Sequence, residues 1–339
     1  MRASERWRQV VLPLVAACIG IVVIPIVASD FVLLQIVIKS LWLGIAGASL
    51  AFLIGQAGLI SLGQTAIFGT AGYVMAILTL SHGLNIWLAV ACAVASGPVA
   101  GLLVGLVSSR SSGLYLMMLT LAVGVFAFFF GQQYQPITRG HTGFNGFESP
   151  IIGGVDFNER RPLFYVTAVA AVLVVILLRY VTGSPVGLAF RGLRDNRKRL
   201  SALGYNPAAV TIAAFGVSGV AAGIGGVLSV WYNGAISPGS IDITRIIELL
   251  VVVTIGGAIR IEGAFLGALA VTLLRNFASD FTNRVETLVG AAFIIVVLFS
   301  RHGILGLWLE ARSRTPQVFE SLRGQLRLRG RAVTGPPAR

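Results

Sequence analysis

Side chains able to do chemistry are scarce in this 339-residue chain, so their positions carry weight. The two cysteines, Cys18 and Cys92, lie inside separate apolar runs with no histidine nearby. That pattern has neither the spacing of a zinc site nor a disulfide framework, and both read as small core hydrophobes. His82, His141 and His302 are isolated from one another, so no nucleophile–base–orienter arrangement can be drawn. No metal or cofactor is called for. Glu248 is the one carboxylate falling within an apolar run. It is either buried and functional, or placed near a helix start where it meets Arg245 at an interface. Lys39 sits similarly in another run, where its long stem can snorkel. The remaining polar candidates are uncharged. Ser61, Gln64 and Thr65 offer hydrogen-bonding groups at a glycine-rich break that begins before Gly58, and Gly256 and Gly257 form a second break.

The elements that must position these residues follow from composition. Apolar residues make up 56% of the chain and charged residues 12%, against about a quarter charged in soluble domains. Mean hydropathy is +0.86. So few charges cannot cover a soluble surface, and runs of about 20 apolar residues match a bilayer core of about 30 Å. With no water there to satisfy the backbone, the spans must be helices. The fold class is therefore all-α: a polytopic transmembrane bundle of about ten helices (8–10). The runs fall at 10–28, 32–54, 59–80, 86–107, 113–132, 162–182, 209–232, 244–259, 263–278 and 285–300. Arg2, Arg6 and Arg8 precede the first run as they would in a secretory signal. That run is longer than a usual signal core, and a retained helix is the better reading.

Charge fixes the expected topology. Residues 1–9, 184–206 and 301–339 carry +2, +4 and +6, which is +12 of the net +13. Six runs precede the second segment and ten precede the third, so all three fall on one side, the cytoplasmic one by the positive-inside rule. The longest opposite-side loop, 133–161, balances Arg139, Arg160 and Arg161 against Glu148, Asp156 and Glu159. The resulting organisation is a cytoplasmic N-terminus (1–9), a membrane domain (10–308) and a basic, mobile cytoplasmic tail (309–339). That tail can lie on anionic headgroups. The basic segment 301–339 has two aromatics, Trp308 and Phe319, and no recognisable module, which argues against nucleic-acid binding.

Glycine placement predicts close helix packing. Gly97, Gly101 and Gly105 recur every four residues, as do Gly219 with Gly223 and Gly263 with Gly267, putting small residues on one face where backbones can approach. The two breaks, Gly55–Gln64 and Ile255–Gly263, share an Ile-Gly-x-Ala start, one in each half of the chain. Broken helices at corresponding positions point to a transport site. Between the runs, residues 184–206 predict a short amphipathic helix. Ser184-Pro185 starts it, Leu193, Leu200 and Leu203 share one side, and Gly204 ends it. Such a helix can anchor at the interface or dock into a partner's groove.

Four ordered blocks then resemble one family. Gly55-x-Ala57-Gly58-x-x-Ser61-Leu62-Gly63-Gln64-x-Ala66-x-Phe68-Gly69-x-x-Gly72-Tyr73 resembles a signature of branched-chain amino-acid ABC transporter permeases. Thr138-x-Gly140-x-x-Gly143-x-x-Gly146 is similar to that family's external-loop motif. Arg191-x-x-Arg194-Asp195 with Ala202-Leu203-Gly204-Tyr205-Asn206 resembles its cytoplasmic coupling segment. Ser237-Pro238-x-Ser240, Glu248 and Gly256-Gly257 with Gly263 and Gly267 resemble its C-terminal half. The resemblance spans roughly residues 33–308 and implies a type II importer fold.

The resemblance also implies partners. Two permeases form the pathway, commonly a heterodimer with a sister subunit. Cytosolic ABC ATPases grip the coupling segment, and an extracytoplasmic solute-binding protein delivers substrate. The solute would be a branched-chain or related amino acid, with urea and short amides as relatives, and the membrane a bacterial or archaeal plasma membrane. The chain has no Walker-type phosphate loop, as expected where ATP hydrolysis sits in a separate subunit. Gly58, Ser61, Gln64, Thr65, Glu248, Gly256 and Gly257 become pathway candidates. Arg191, Arg194, Asp195, Ala202, Leu203 and Gly204 become coupling candidates. The chain departs from the family at Arg197, Lys198, Arg199 and Ser201, and at Arg139, His141 and Thr142. It departs again at Ile259 and Glu262. An ion-coupled carrier using Glu248 and Lys39, or a membrane scaffold, are the competing readings.

Overall fold

The computed structural model describes residues 29–147, 151–152, 155–156 and 160–281, with Pro25 and scattered positions between 287 and 294. The runs at 10–28 and 285–300 and the basic tail lie outside the described residues apart from those positions. Each of the eight intervening runs is a helix. In chain order the described helices of six or more residues are α1 (Asp30–Ala57), α2 (Gln64–Ser81), α3 (Ile86–Ser108), α4 (Leu114–Gln133) and α5 (Arg160–Gly183). There follow α6 (Pro185–Asp195), α7 (Arg197–Ala202), α8 (Pro207–Asn233), α9 (Ile243–Gly256) and α10 (Gly263–Phe281). Six are long and apolar enough to cross a membrane: α1 to α5 and α8. Sheet is confined, among the described residues, to two ladders of two-residue strands. β1 (Phe144–Asn145) pairs with β4 (Ala235–Ile236), and β2 (Ile151–Ile152) with β3 (Val155–Asp156). The chain is all-α.

Local chemistry explains the helix ends. Ser184, Asn206 and Asp242 each accept a hydrogen bond from a first-turn amide of α6, α8 and α9, and prolines occupy the first position of α6 and α8. Gly234 closes α8 in the left-handed conformation. One expectation changes: 184–203 is two helices. Asn196 leaves the helical region (φ −163°, ψ 105°), and its side chain accepts from Arg199 N to cap α7, so a residue that prefers caps breaks the amphipathic run.

The bundle has a buried centre and a lipid-facing shell. The apolar stretch of α1 is 78% buried and that of α4 22%, so α1, with α8, forms the hub while α3, α4 and α5 turn Leu, Val and Phe outward. The glycine faces meet each other. A Cβ on Gly97 would strike the Gly219 carbonyl and the Gly223 backbone, and one on Gly101 the Phe215 carbonyl, so α3 and α8 cross with backbones in contact. Gly267 of α10 packs in the same way on the Val252 carbonyl of α9. The α9 helix is only 14 residues long, about 21 Å at 1.5 Å per residue, and with α10 makes a short hairpin against α1. Connections 109–113, 184–206 and 257–262 gather at one end of the bundle. Those at 82–85 and 234–242, with the 134–147 segment, lie at the other.

Candidate translocation cavity and its link to the 184–206 segment

The first break begins where α1 widens into a π-helical turn, Leu53–Ala57, and stops at left-handed Gly58 (φ 68°). Residues 58–63 then fold back into the bundle, and α2 starts at depth with Gln64. The freed backbone is satisfied by α4 and by the break itself: Leu62 N donates to Thr120 Oγ1 (3.0 Å), and Gly63 N to Ser61 Oγ (3.3 Å). Gln64 Nε2 donates to Ser49 Oγ on α1 (2.9 Å) and Ser218 Oγ on α8 (2.6 Å), tying the start of α2 to both central helices. Ser61 and Gln64 are buried, and their side chains hold the break in shape.

At the same end the 184–206 segment touches this break. Arg194 Nη1 of α6 donates to the Gly55 carbonyl (2.6 Å), and Gly58 lies so close that a Cβ there would come within 2.7 Å of Arg194 Cγ. The second break leans on the same spot, because a Cβ on Gly55 would strike the Ala258 carbonyl. Gly256 packs on the Gly263 backbone and Gly257 takes φ 96°, turning the α9–α10 hairpin. Arg179 Nε, near the end of α5, pairs with Glu262 of that turn (2.5 Å). Arg197 of α7 reaches the Ser111 carbonyl (3.0 Å) and the Ser109 carbonyl, tying in the α3–α4 connection. Arg191 stays on its own helix and its approach, with weak contacts to the Gly187 and Thr182 carbonyls. Arg194 also pairs with exposed Asp195 (3.2 Å). Ala202, Leu203 and Gly204 are exposed, Leu203 at 71%.

Above this end, α1, α2, α8 and α9 enclose a cavity of about 220 Å³. Trp42, Leu43, Phe68 and Leu249 supply apolar wall. Thr65, Ser229, Asn233, Ser237 and Ser240 supply uncharged polar groups, and Arg245 and Glu248 supply charge. Glu248 is 3% exposed. Its Oε2 accepts from Arg245 Nη1 at 2.5 Å, one turn earlier on α9, and its Oε1 faces Arg275 Nε of α10 at 3.5 Å. Lys39 interacts electrostatically with the same three groups. The cavity's outer wall is the β1–β4 ladder, which contributes Asn145 and Ala235, with Phe147 N donating to the Gly234 carbonyl. Of the glycines at 140, 143 and 146, Gly143 serves this wall. Gly143 takes φ 60° with its α-carbon against the Ile236 carbonyl, where any side chain would collide. Arg139 adopts a left-handed backbone (φ 58°, ψ 17°), and its guanidinium stacks 4.6 Å over Phe144.

Of the pathway candidates, Thr65 and Glu248 line the cavity. Ser61 and Gln64 sit in the wall of the first break, and Gly58, Gly256 and Gly257 lie toward the 184–206 end. Sequence reasoning did not single out Trp42, Phe68, Asn145, Asn233 or Arg275. For Arg275 a signal was present: an arginine inside an apolar run asks for a partner, as Glu248 does.

Comparisons place this chain among known proteins. The model of a family described as "Branched-chain amino acid transport system / permease component" matches residues 32–298. The chain is 24% identical over 284 residues to the "High-affinity branched-chain amino acid transport system permease protein LivM" of Escherichia coli K12. The protein of that name from Salmonella typhimurium LT2 is 24% identical over the same length. Both alignments cover 77% of this chain and 67% of the relative. Membrane-spanning helices, paired glycine faces, a broken α1–α2 connection and the match over most of the chain agree: the protein is a multi-pass membrane protein of the branched-chain amino acid transport permease family.

Proposed function

We propose that the chain is a permease subunit of an ATP-driven importer, carrying branched-chain or related amino acids through the cavity by alternating access. Separate cytosolic ATPases engage α6 and α7, a sister permease completes the pathway as a heterodimer, and an extracytoplasmic solute-binding protein feeds the β1–β4 side. The plasma membrane is bacterial or archaeal and both termini are cytoplasmic, in keeping with the basic charge of 1–9, 184–206 and 301–339.

The observation that carries the reading is the Arg194–Gly55 hydrogen bond. It joins the segment available to a cytosolic partner to the break whose far side, at Thr65, borders the cavity. Displacement of α6 is thereby passed to α1, α2 and, through Ala258, to the α9–α10 hairpin. Exposed Leu203, Tyr205, Lys198 and Arg199 form the contact face, and their charge calls for an acidic groove on the ATPase. An ion-coupled carrier is the weaker reading, because Arg245 and Arg275 already engage Glu248 and a coupling ion would have to displace an arginine. The test is affinity purification of the tagged chain from its native membrane, followed by mass spectrometry. Recovery of an ATPase and a second permease is expected; recovery of the chain alone, active in an ion gradient, would overturn the importer.

A further inference from the structure

Three nearly fully buried residues of the cavity hold polar atoms without a hydrogen bond: Trp42 Nε1, Thr65 Oγ1 and Glu248 Oε1, the last 3.5 Å from its ion-pair partner Arg275 Nε. Buried polar atoms are rarely left so. One is a donor, one accepts, and the hydroxyl does both. Beside them the Arg245–Glu248 ion pair forms part of the same wall.

Resting on the reading that solute passes through this cavity, we propose that the Arg245–Glu248 pair selects α-amino acids by opening around the zwitterion. Arg245 takes the carboxylate and Glu248 takes the ammonium. The argument is one of charge matching. An uncharged solute cannot displace either member of a short ion pair. A solute with only a carboxylate takes Arg245 and gives Glu248 nothing beyond the Arg275 contact it already has, and one with only an ammonium takes Glu248 and leaves Arg245 without its carboxylate, so each exchanges one charge-assisted contact for one. A zwitterion replaces one charge-assisted contact with two and leaves the net charge of the site unchanged. Thr65 lies in the first turn of α2, whose aligned amides favour an anion, so the carboxylate belongs on the Arg245–Thr65 side. Trp42, Leu43, Phe68 and Leu249 then face the side chain. The cavity, about 220 Å³, is smaller than the ~300–1,000 Å³ of drug-sized sites and suits one small amino acid. On this account the permease itself rejects urea and short amides.

The test uses the complex recovered with the tagged chain, placed in lipid nanodiscs without the solute-binding protein. Binding of radiolabelled L-leucine is competed with leucinamide, which lacks the carboxylate. Further competitors are 4-methyl-2-oxopentanoate, which lacks the ammonium, and isobutyramide, which lacks both. Each analogue is expected to compete at least ~100-fold more weakly than unlabelled leucine. Arg245→Gln is expected to weaken leucine by on the order of 100-fold while changing leucinamide less than about 3-fold, with Arg245→Lys restoring part of the loss. If the single variant fails to fold, Arg245→Gln combined with Glu248→Gln removes both charges and is expected to abolish the preference for leucine over isobutyramide. Analogues within about 5-fold of leucine, or an Arg245→Gln effect equal on all ligands, would overturn the proposal even where cells still take up leucine. Absence of both leucine binding and leucine uptake would overturn the amino-acid permease reading with it.

Discussion

Two alanine substitutions on one face of α8 test whether backbone contact with α3 holds the bundle together. Gly216 and Gly219 are buried and one helical turn apart. A Cβ on Gly219 would strike the Gly97 carbonyl and come within 3.0 Å of Pro98 Cα, both backbone atoms of α3 that cannot move alone. A Cβ on Gly216 would meet the Leu102 side chain, at 2.9 Å from its Cδ2, and that side chain can change rotamer. Overpacking against an immovable neighbour costs about 1–3 kcal/mol, and glycine-to-alanine in a helix returns up to about 1 kcal/mol. Gly219→Ala is therefore expected to destabilise by roughly 1–2 kcal/mol. Gly216→Ala should lie between neutral and about 0.5 kcal/mol more stable, the propensity gain outweighing a rotamer shift. Reversible unfolding in mixed micelles, followed by circular dichroism, reads both against the parent protein. Gly219→Ala as stable as Gly216→Ala, or more so, would refute the claim that the α3–α8 crossing is set by backbone contact.

Three further perturbations address function. Leu203→Asp places a carboxylate on the exposed contact face and is expected to uncouple ATP hydrolysis from uptake with stability unchanged; unaltered uptake would remove α7 from the ATPase contact. Arg194→Met removes the bond to Gly55, worth about 1–2 kcal/mol for a charged donor partly in solvent. Solute moved per ATP should then fall about 5–30-fold with assembly intact, and an unchanged ratio would show that the link carries no motion. Asn145→Cys with Ala235→Cys, in a background where Cys18 and Cys92 are serine, joins register partners of the β1–β4 ladder. Oxidation should stop uptake and reduction restore it, whereas full transport by the cross-linked form would mean that this wall does not move.

What could be read from residue types alone was whatever depends on length and local pattern. The eight runs between 32 and 278 became helices because about 20 apolar residues in lipid have no other way to satisfy their backbone. The four-residue glycine spacing marked the faces that meet, though not that Gly97 would find Gly219. Ser61 and Gln64 were visible as polar groups at a break, but the hydroxyls that hold it, Ser49 and Ser218 on Gln64 and Thr120 on Leu62 N, come from three helices, and only tertiary packing decides that they do structural work. Asn196 was passed over because its neighbours continue a helical pattern; its capping side chain overrode them. The cavity was the least legible feature. Its wall gathers Trp42, Thr65, Asn145, Asn233 and Glu248 across some two hundred residues of sequence, and nothing local to any one of them announces the others.

The shortness of α9 bears on how the chain enters its membrane. At 14 residues, with Arg245 and Glu248 in its first half, this helix is a poor candidate for insertion alone; a lone arginine at mid-bilayer costs about 2.5–3.5 kcal/mol on the translocon scale. The two charges lie one turn apart and face each other within the same helix, so the segment carries its own counterion from the moment it folds. Arg275 arrives only with α10, and the glycines at 256, 263 and 267 let the two helices close back to back. The natural unit of biogenesis is thus the hairpin, delivered to the bilayer with the Glu248 carboxylate already countered.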